Sequence, residues 1–458
     1  MKLLHAYPLI KKTVFLSFFL ASCSNHPTKI NPIETNKYSE ANEINSLKFN
    51  ELLNVEVDSS SKGVFLAEGS ITELSQVKFG LVIPLSKFPV YSTELIAAAD
   101  IAANYINSNG GINGRKLLVI RGDDGANSET AIEVVKTMAN QYGIDALVGP
   151  IASFRALEVA KRIAIPKNIP MLATTASANV FSSLNDNDLI YRMIATNEVI
   201  ANRITHYLKK LNKHQKVIIV SGKSLYSKEL VNGINKYIQE NNGEIINHLE
   251  LSRLVDYSGI QLKSNIEKLA KSKAQSILLV LARDQAAELL VQMNKYWQGL
   301  LPHIITLDGV KPARLEQESL DNIEQCISMV ITESINKTHT IFNDVSNLIN
   351  QQSSIYDSAY VYDSVILFSL AHSIAELKEI SVVKALQMLT GDGRRITADD
   401  YKNIKQLSAA FSEFSFYGAS GQVRFDEQGN NLAAQLHLIP LSNSPDRLKN
   451  CGKTEAIQ

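Results

Sequence analysis

The sequence predicts an α/β protein made of two doubly wound, Rossmann-like lobes. Three observations predict this. From residue 77 onward, short β-branched runs alternate with helical apolar periods. The strand-like runs are apolar on both faces, as parallel strands covered by helices on each side must be. The alternating stretch, residues 77–441, amounts to about 365 residues, more than one comfortable core holds.

In chain order, strands are expected at 77–83, 116–121, 146–148, 171–173, 217–221, 277–281 and 304–307. Helices fall between them. In 93–108, Leu95, Ile96, Ala98, Ala99, Ala102, Tyr105 and Ile106 lie near one stripe, and Gly110 follows as a stop. In 128–142, Ile132, Val135, Met138, Ala139 and Tyr142 repeat that pattern before Gly143. A third helix, 153–164, opens at Ser153, a good N-cap, and ends before Pro166. In open parallel sheets a ligand sits beyond the carboxyl ends of the strands, so two facing lobes place the site in the cleft between them.

The N-terminal part reads differently. Lys2, Lys11 and Lys12 precede the apolar run 13–22, TVFLSFFLAS, which has the length of a signal-peptide core and is too short to span a bilayer. It ends in Leu20-Ala21-Ser22-Cys23, which resembles the lipobox of bacterial lipoproteins, with Cys23 acylated after removal of 1–22. A plain secretory signal with an incidental cysteine, or a retained anchor, stays open. Residues 23–76 are rich in Asn, Ser, Glu, Lys and Thr without sustained period, and are expected to be a flexible tether. Residues 442–458 are a short tail.

The 458 residues carry 46 basic and 46 acidic side chains, a formal charge of zero. Three of the lysines and none of the acids lie in 1–22, so the mature chain has 43 basic against 46 acidic residues, a net −3. That balance argues against nucleic acid as the main partner, because neutralising phosphates needs excess Lys and Arg. The hydrophobic fraction of 45% excludes a disordered chain, and three cysteines are too few for a disulfide scaffold. An exported chain works in an oxidising compartment, where Cys326 and Cys451 can pair if they are close, which the sequence does not show.

A set of ordered segments then carries a family resemblance. These are FGLVIPLS at 79–86, INSNGGINGRKLLVIRGDD at 106–124, DALVGPIAS at 145–153 and IPMLATTASA at 169–178, followed by YDSVILFSLA at 362–371 and FYGASGQVRFDEQGN at 416–430. In this order and spacing the chain resembles the type I periplasmic-binding-protein superfamily, in its leucine/isoleucine/valine-binding branch of ABC-transporter substrate-binding proteins. The resemblance implies three hinge crossovers, lobe one at 77–196 plus 333–414, and lobe two at 197–332 plus 415–441.

It also implies ligand residues, each with a plainer structural role beside it. Ser153 ends the 149–153 turn and would offer its hydroxyl to a ligand carboxylate, or simply cap its helix. In 173–177, Thr175 would offer backbone and Ser177 its hydroxyl and N–H to the same carboxylate, or the segment is a Ser/Thr turn. Tyr226 matches the tyrosine that covers the ligand from lobe two, although Ser227 stands where the family usually has Gly. Asp308, before Gly309, would hold a ligand ammonium or be a turn aspartate. Tyr91, in the first loop after strand one, would wall the pocket. Arg283 falls where the family often has a pocket aromatic, and is otherwise a surface residue near a helix start.

Other features carry less. The glycine-rich 109–115 lacks the Gly-Lys-Ser/Thr ending of a phosphate loop and follows a helix instead of a strand, so it reads as a turn. Asp123-Asp124 reads as a structural strand end and Arg394-Arg395 as solvated surface. No His-Glu-x-x-His, Cys-x-x-Cys or Gly-x-Ser-x-Gly occurs, so neither an enzyme nor a metal or other cofactor is expected. The expected function is a lipid-anchored, extracytoplasmic solute-binding protein that delivers an amino acid or similar small polar solute to an ABC permease. It touches the membrane through its lipid alone. The alternative is a sensing or scaffolding lipoprotein of the same fold, regulating a receptor or cell-envelope enzyme. The long tether and the absence of Asp after Cys23 (Ser24 stands there) suit that alternative.

Overall fold

The computed structural model describes residues 63–65, 76–211, 216–251, 259–307, 320–332, 355–434, 436–440 and 451. Two six-stranded sheets organise them. Lobe one is built on β1 (Val64–Phe65), β2 (Gln76–Ile83), β3 (Lys116–Asp123), β4 (Ala146–Val148), β5 (Met171–Ala173) and β6 (Ile190–Arg192), in the order β1-β3-β2-β4-β5-β6. Lobe two uses β7 (Lys216–Ser221), β8 (Glu244–Glu250), β9 (Ser276–Val280), β10 (His303–Thr306) and β11 (Ile327–Thr332). A small third sheet contains β12 (Arg394–Ile396), β13 (Phe414–Gly418) and β14 (Gly421–Val423), and β15 (Leu436–Pro440) completes lobe two in the order β15-β11-β10-β9-β7-β8. Within the two large sheets only β1 and β15, both at edges, pair antiparallel.

The inner strands are continuous apolar runs because both faces are covered. One face of the lobe-one sheet packs on α1 (Pro89–Ser108), and the other on α2 (Ser128–Thr137) and α3 (Ser153–Val159). Pro89 occupies the first helical turn of α1, where its missing N–H is no loss, so the helix begins four residues before the expected 93. Asn127 caps α2 by accepting from the Glu129 and Thr130 N–H groups. The expected helices 128–142 and 153–164 are present, but their last turns, Met138–Tyr142 and Ala160–Ala164, widen into π-helix.

In lobe two, α4 (Asn197–Leu211) and α5 (Leu225–Glu240) cover one face. Helices α6 (Gly259–Lys271) and α7 (Arg283–Tyr296) cover the other. The chain then returns to lobe one as α8 (Ile355–Lys378), whose Val361, Tyr362, Val365, Ile366 and Phe368 are fully buried against α1 and β2. Helices α9 (Val382–Leu389) and α10 (Ile404–Ala410) extend that layer. The chain thus passes between lobes three times, after β6, after β11 and after β14.

Two expectations need correcting. Val64 and Phe65 lie within the expected tether, yet they are buried and pair with Gly122 and Arg121 as β1. Residues from 415 on were expected in lobe two. Instead Phe416, Ala419 and Val423 are buried in the lobe-one core around α8, and lobe two receives β15. Aromatic bulk decides this, because Phe414 and Phe416 have no exposed surface where they sit. Cys326 and Cys451 form a disulfide with a Cα–Cα distance of 5.5 Å, which ties residue 451 to the start of β11. The expected turn at 109–115 is present, with Gly111 at φ 64° and its Cα so close to the Arg115 carbonyl that a side chain would collide.

Lobe one also holds buried charge. Asp124, at the end of β3, is fully buried and meets Arg155 Nε of α3 at 2.9 Å. Burial outweighs the Arg155 charge and lifts the Asp124 carboxyl to about 6. Such a pair contributes little net stability, but it holds α3 in place on β3 because losing either partner would strand a buried charge.

His372 of α8 is packed against Phe79, with ring centroids 5.3 Å apart. Burial, helped by Arg115 and opposed by Glu376, lowers its pKa to about 4. In the unfolded chain it titrates near ~6.5. Between those values the unfolded chain binds a proton that the folded one refuses, so stability falls as pH drops through that window. His372 Nε2 has no partner among the described residues, so a phenyl ring can take its place. We expect His372→Phe to remove up to about 3 kcal/mol of the acid loss between about pH 6.5 and 4. Urea titrations across that range would show a flatter profile, and parallel profiles for the two proteins would refute the assignment.

Candidate functional site

Strands β4 and β5 are parallel neighbours, pairing Leu147 with Met171 and Val148 with Leu172, so their carboxyl ends open side by side. The turn after β4 is tightly drawn. Gly149 has φ 86°, and a Cβ there would lie 2.7 Å from the Val82 carbonyl oxygen. Ala152 is held at φ 76°, an unfavourable region for a residue with a side chain and one that concentrates at ligand sites. This turn delivers Ser153 as the first residue of α3.

Ser153 therefore does not cap its helix as expected, because the N-cap position belongs to Ala152. The Ser153 Oγ is turned sideways and accepts the Ala178 N–H at 3.2 Å, across to the turn after β5. Thr175 Oγ1 accepts the Ala152 N–H at 3.4 Å in the opposite direction. Two reciprocal bonds zip the turns together and leave the Ser153 hydroxyl proton to be donated elsewhere. Ser177 is buried, and its carbonyl accepts the Asn197 N–H at 2.7 Å. Thr174 Oγ1 is buried beside them without a partner among the described residues.

Lobe two reaches the same place through α5. Ser224 caps this helix by accepting the Ser227 N–H, and Ser227 Oγ donates to the Val280 carbonyl at 3.1 Å. The serine that replaces the family glycine is thus built into the helix start. Tyr226 is half-buried against the lobe-two core, and its carbonyl faces Asn197 Nδ2 at 3.4 Å. Asn197 is fully buried and starts α4 just past the first crossover. It joins Ser177 to Tyr226.

Tyr91 lies in the first turn of α1, not in a loop, and its hydroxyl donates to Asp357 Oδ2 of α8 at 2.9 Å. It stands in the helix that follows β2, on the carboxyl side of the lobe-one sheet. Arg283 begins α7, and its side chain lies outside the described residues. Asp308 lies outside them too, two residues past the end of β10, as does Cys23. Arg394 and Arg395 are exposed and lie over the rings of Phe411 and Tyr417. Among the described residues no group of three His, Cys, Asp or Glu is placed to hold a metal ion.

Four participants escaped sequence reasoning: Asp357, Asn197, Glu229 and Arg192. Glu229 of α5 accepts the Asn179 N–H and, at 3.3 Å, Asn197 Nδ2. Arg192 had a visible signal, a lone cation inside the apolar run 189–195.

We expect Ser153→Ala to leave the Ala178 N–H without its acceptor and to lower stability by about 1–3 kcal/mol in chemical denaturation. A loss below about 0.5 kcal/mol would mean that solvent replaces the hydroxyl and that the two turns are not zipped by it.

Residues 76–309 match the family model described as periplasmic binding protein. The Leu/Ile/Val-binding protein BraC3 of Rhizobium johnstonii is 24% identical over 196 residues, which are 42% of this chain and 53% of that protein. The chain spans about half the length of the curated relatives it matches. Among solved structures, the substrate binding protein LivJ of the Streptococcus pneumoniae branched-chain amino acid transporter, in complex with isoleucine, has a TM-score of 0.59. It shares 19% identity, and the alignment covers 80% of this chain and 100% of that one. An ABC-transporter solute binding protein from R. palustris in complex with benzoate has a TM-score of 0.61 at 17% identity, covering 80% of this chain and 94% of that one. These likenesses establish the fold.

Proposed function

This chain belongs to the periplasmic binding protein family, and we propose that it captures an amino acid or similar small polar solute between its lobes and delivers it to an ABC permease. The observation that carries this reading is the zipped pair of turns at the carboxyl ends of β4 and β5. Ser153 spends its acceptor capacity on Ala178 and keeps a proton to donate, while Ser177 and Thr175 lie beside it. Such a set of hydroxyls and turn amides suits a carboxylate, whose oxygens accept several charge-assisted hydrogen bonds. Tyr226 would cover the solute from lobe two and Tyr91 would wall the lobe-one side. The solute bound to the R. palustris protein is itself a carboxylate, and that bound to the S. pneumoniae protein an amino acid.

Asp308 would take the ammonium of an amino acid. A carboxylate in a closed cleft needs a positive partner, and an ammonium supplies one. Asp308→Ala should weaken amino-acid binding by about 2 kcal/mol or more, as for loss of one side of a buried charge pair. Native mass spectrometry of the purified chain would identify a retained solute and calorimetry would follow its titration. Unchanged affinity would sink the ammonium assignment, and no bound or titrating carboxylate would sink the function.

The family implies an extracytoplasmic location, and Cys23 would carry the lipid that holds the protein on the membrane. Cys23→Ser should move it from the membrane to the soluble fraction in cell fractionation. Retention of the variant on membranes would rule out anchoring through this residue.

A further inference from the structure

Arg192 is the largest fully buried side chain among the described residues. Its guanidinium donates to the Ala178 carbonyl at 2.5 Å, to Ser182 Oγ at 2.8 Å and to Asn430 Oδ1, all neutral acceptors. A buried cation bonded only to neutral groups needs a negative charge nearby. Two carboxylates act on it from a distance, Asp426 and Glu229. Asp426 belongs to the tight turn that presents Asn430, where it accepts the N–H groups of Gln428 and Asn430. Glu229 stands on α5, in the other lobe.

A single peptide group joins Arg192 to Glu229. The carbonyl that Arg192 grips is that of Ala178, and the N–H of the same peptide plane is that of Asn179, which donates to Glu229 Oε2. A cation on the oxygen and an anion on the hydrogen polarise the peptide in the same sense, so each bond strengthens the other. Glu229 is three residues after Tyr226 on one helix, which puts both on the same face. Next to them, Leu225 packs against the lobe-one core around α2 and α3. Asn179 Oδ1 also accepts the Glu198 N–H at 3.1 Å, so the loop that presents the peptide is braced on the start of α4.

We propose that Arg192 and Glu229 form a peptide-bridged ion pair that latches the two lobes and positions Tyr226 over the hydroxyls of Ser153 and Ser177. Both are positioning residues. In a hinged protein the measured affinity is the intrinsic affinity scaled by the fraction of molecules in the binding-competent state. The latch raises that fraction without touching the solute. The proposal rests on the solute-binding reading only in what it says about Tyr226, and the latch itself can be judged without any solute.

The bridging peptide offers a direct test. Ala178 has φ −59° and ψ 135°, the conformation a residue before proline prefers, and Asn179 opens a 3-10 turn, so proline fits there. Asn179→Pro removes the bridging N–H and leaves both charges. Asn179→Ala keeps the N–H and loses only the Asn179 side chain. Small-angle X-ray scattering of the ligand-free full chain should show a larger radius of gyration for Asn179→Pro and Glu229→Gln than for wild type and Asn179→Ala. With leucine as probe, the two latch variants should release it about tenfold faster or more, as expected for loss of a charge-assisted bond. Equal scattering for all four proteins, or an Asn179→Ala protein as open as Asn179→Pro, would overturn the latch. If wild type fails to bind leucine or any other amino acid, the proposed function loses its support while the scattering comparison still decides the latch.

Discussion

Parallel pairing of β2, β4 and β5 constrains the rest of lobe one. In a parallel sheet every strand points the same way, so the carboxyl ends collect at one edge and the turns that leave them must share space. The β4 and β5 turns meet there, and neither can satisfy its backbone alone. The Ala178 N–H turns to Ser153 Oγ and the Ala152 N–H to Thr175 Oγ1. Residues that read as candidate ligand groups are therefore also the groups that close the sheet edge. A structural role and a binding role are compatible in the same hydroxyl, because it can accept one bond and donate another.

Buried charge does related work at both ends of this edge. Asp124 and Arg155 seat α3, the helix that carries Ser153, while Arg192 holds the turn that carries Ser177 and Ala178. Neither arrangement is a strong source of net stability, since desolvation offsets much of the attraction. What they provide is position. A guanidinium has several donors in a fixed plane, so Arg192 fixes three acceptors from separate segments at once, including Asn430 from the third crossover. The site turn, the 3-10 turn after it and a hinge segment are thereby held as one unit.

Much of the fold could be read from local pattern. The runs at 77–83, 146–148 and 171–173 are continuous β-branched or apolar segments and became β2, β4 and β5 within a residue. β8 escaped because it lies at an edge and is mostly exposed, so its Glu244, Asn247, His248 and Glu250 mask any apolar period. β6 escaped because its last residue, Arg192, interrupts the wholly apolar run that marks β4 and β5. The small sheet β12-β13-β14 depends on pairing Arg394 with Phe414 and Phe416 with Val423, contacts that no local period announces. At the site, the hydroxyl-bearing turns were legible because small polar residues directly after strands mark carboxyl ends. The pairing of Tyr91 with Asp357 was not, since 266 residues separate the two ends of that hydrogen bond.

The sequence by itself determined the covered strands β2, β3, β4, β5, β7, β9 and β10 and the small polar residues that follow β4 and β5, because burial on a covered sheet imposes an apolar run that is written locally. Tertiary structure alone decided the partners: Ser153 with Ala178 in place of its own helix, Cys326 with Cys451, and Arg192 with Glu229 through a peptide between them. The physical reason is the short range and strict geometry of the hydrogen bond and of the disulfide. A donor must lie within about 3 Å of its acceptor and point at it, and that proximity is set by how distant segments fold back on one another.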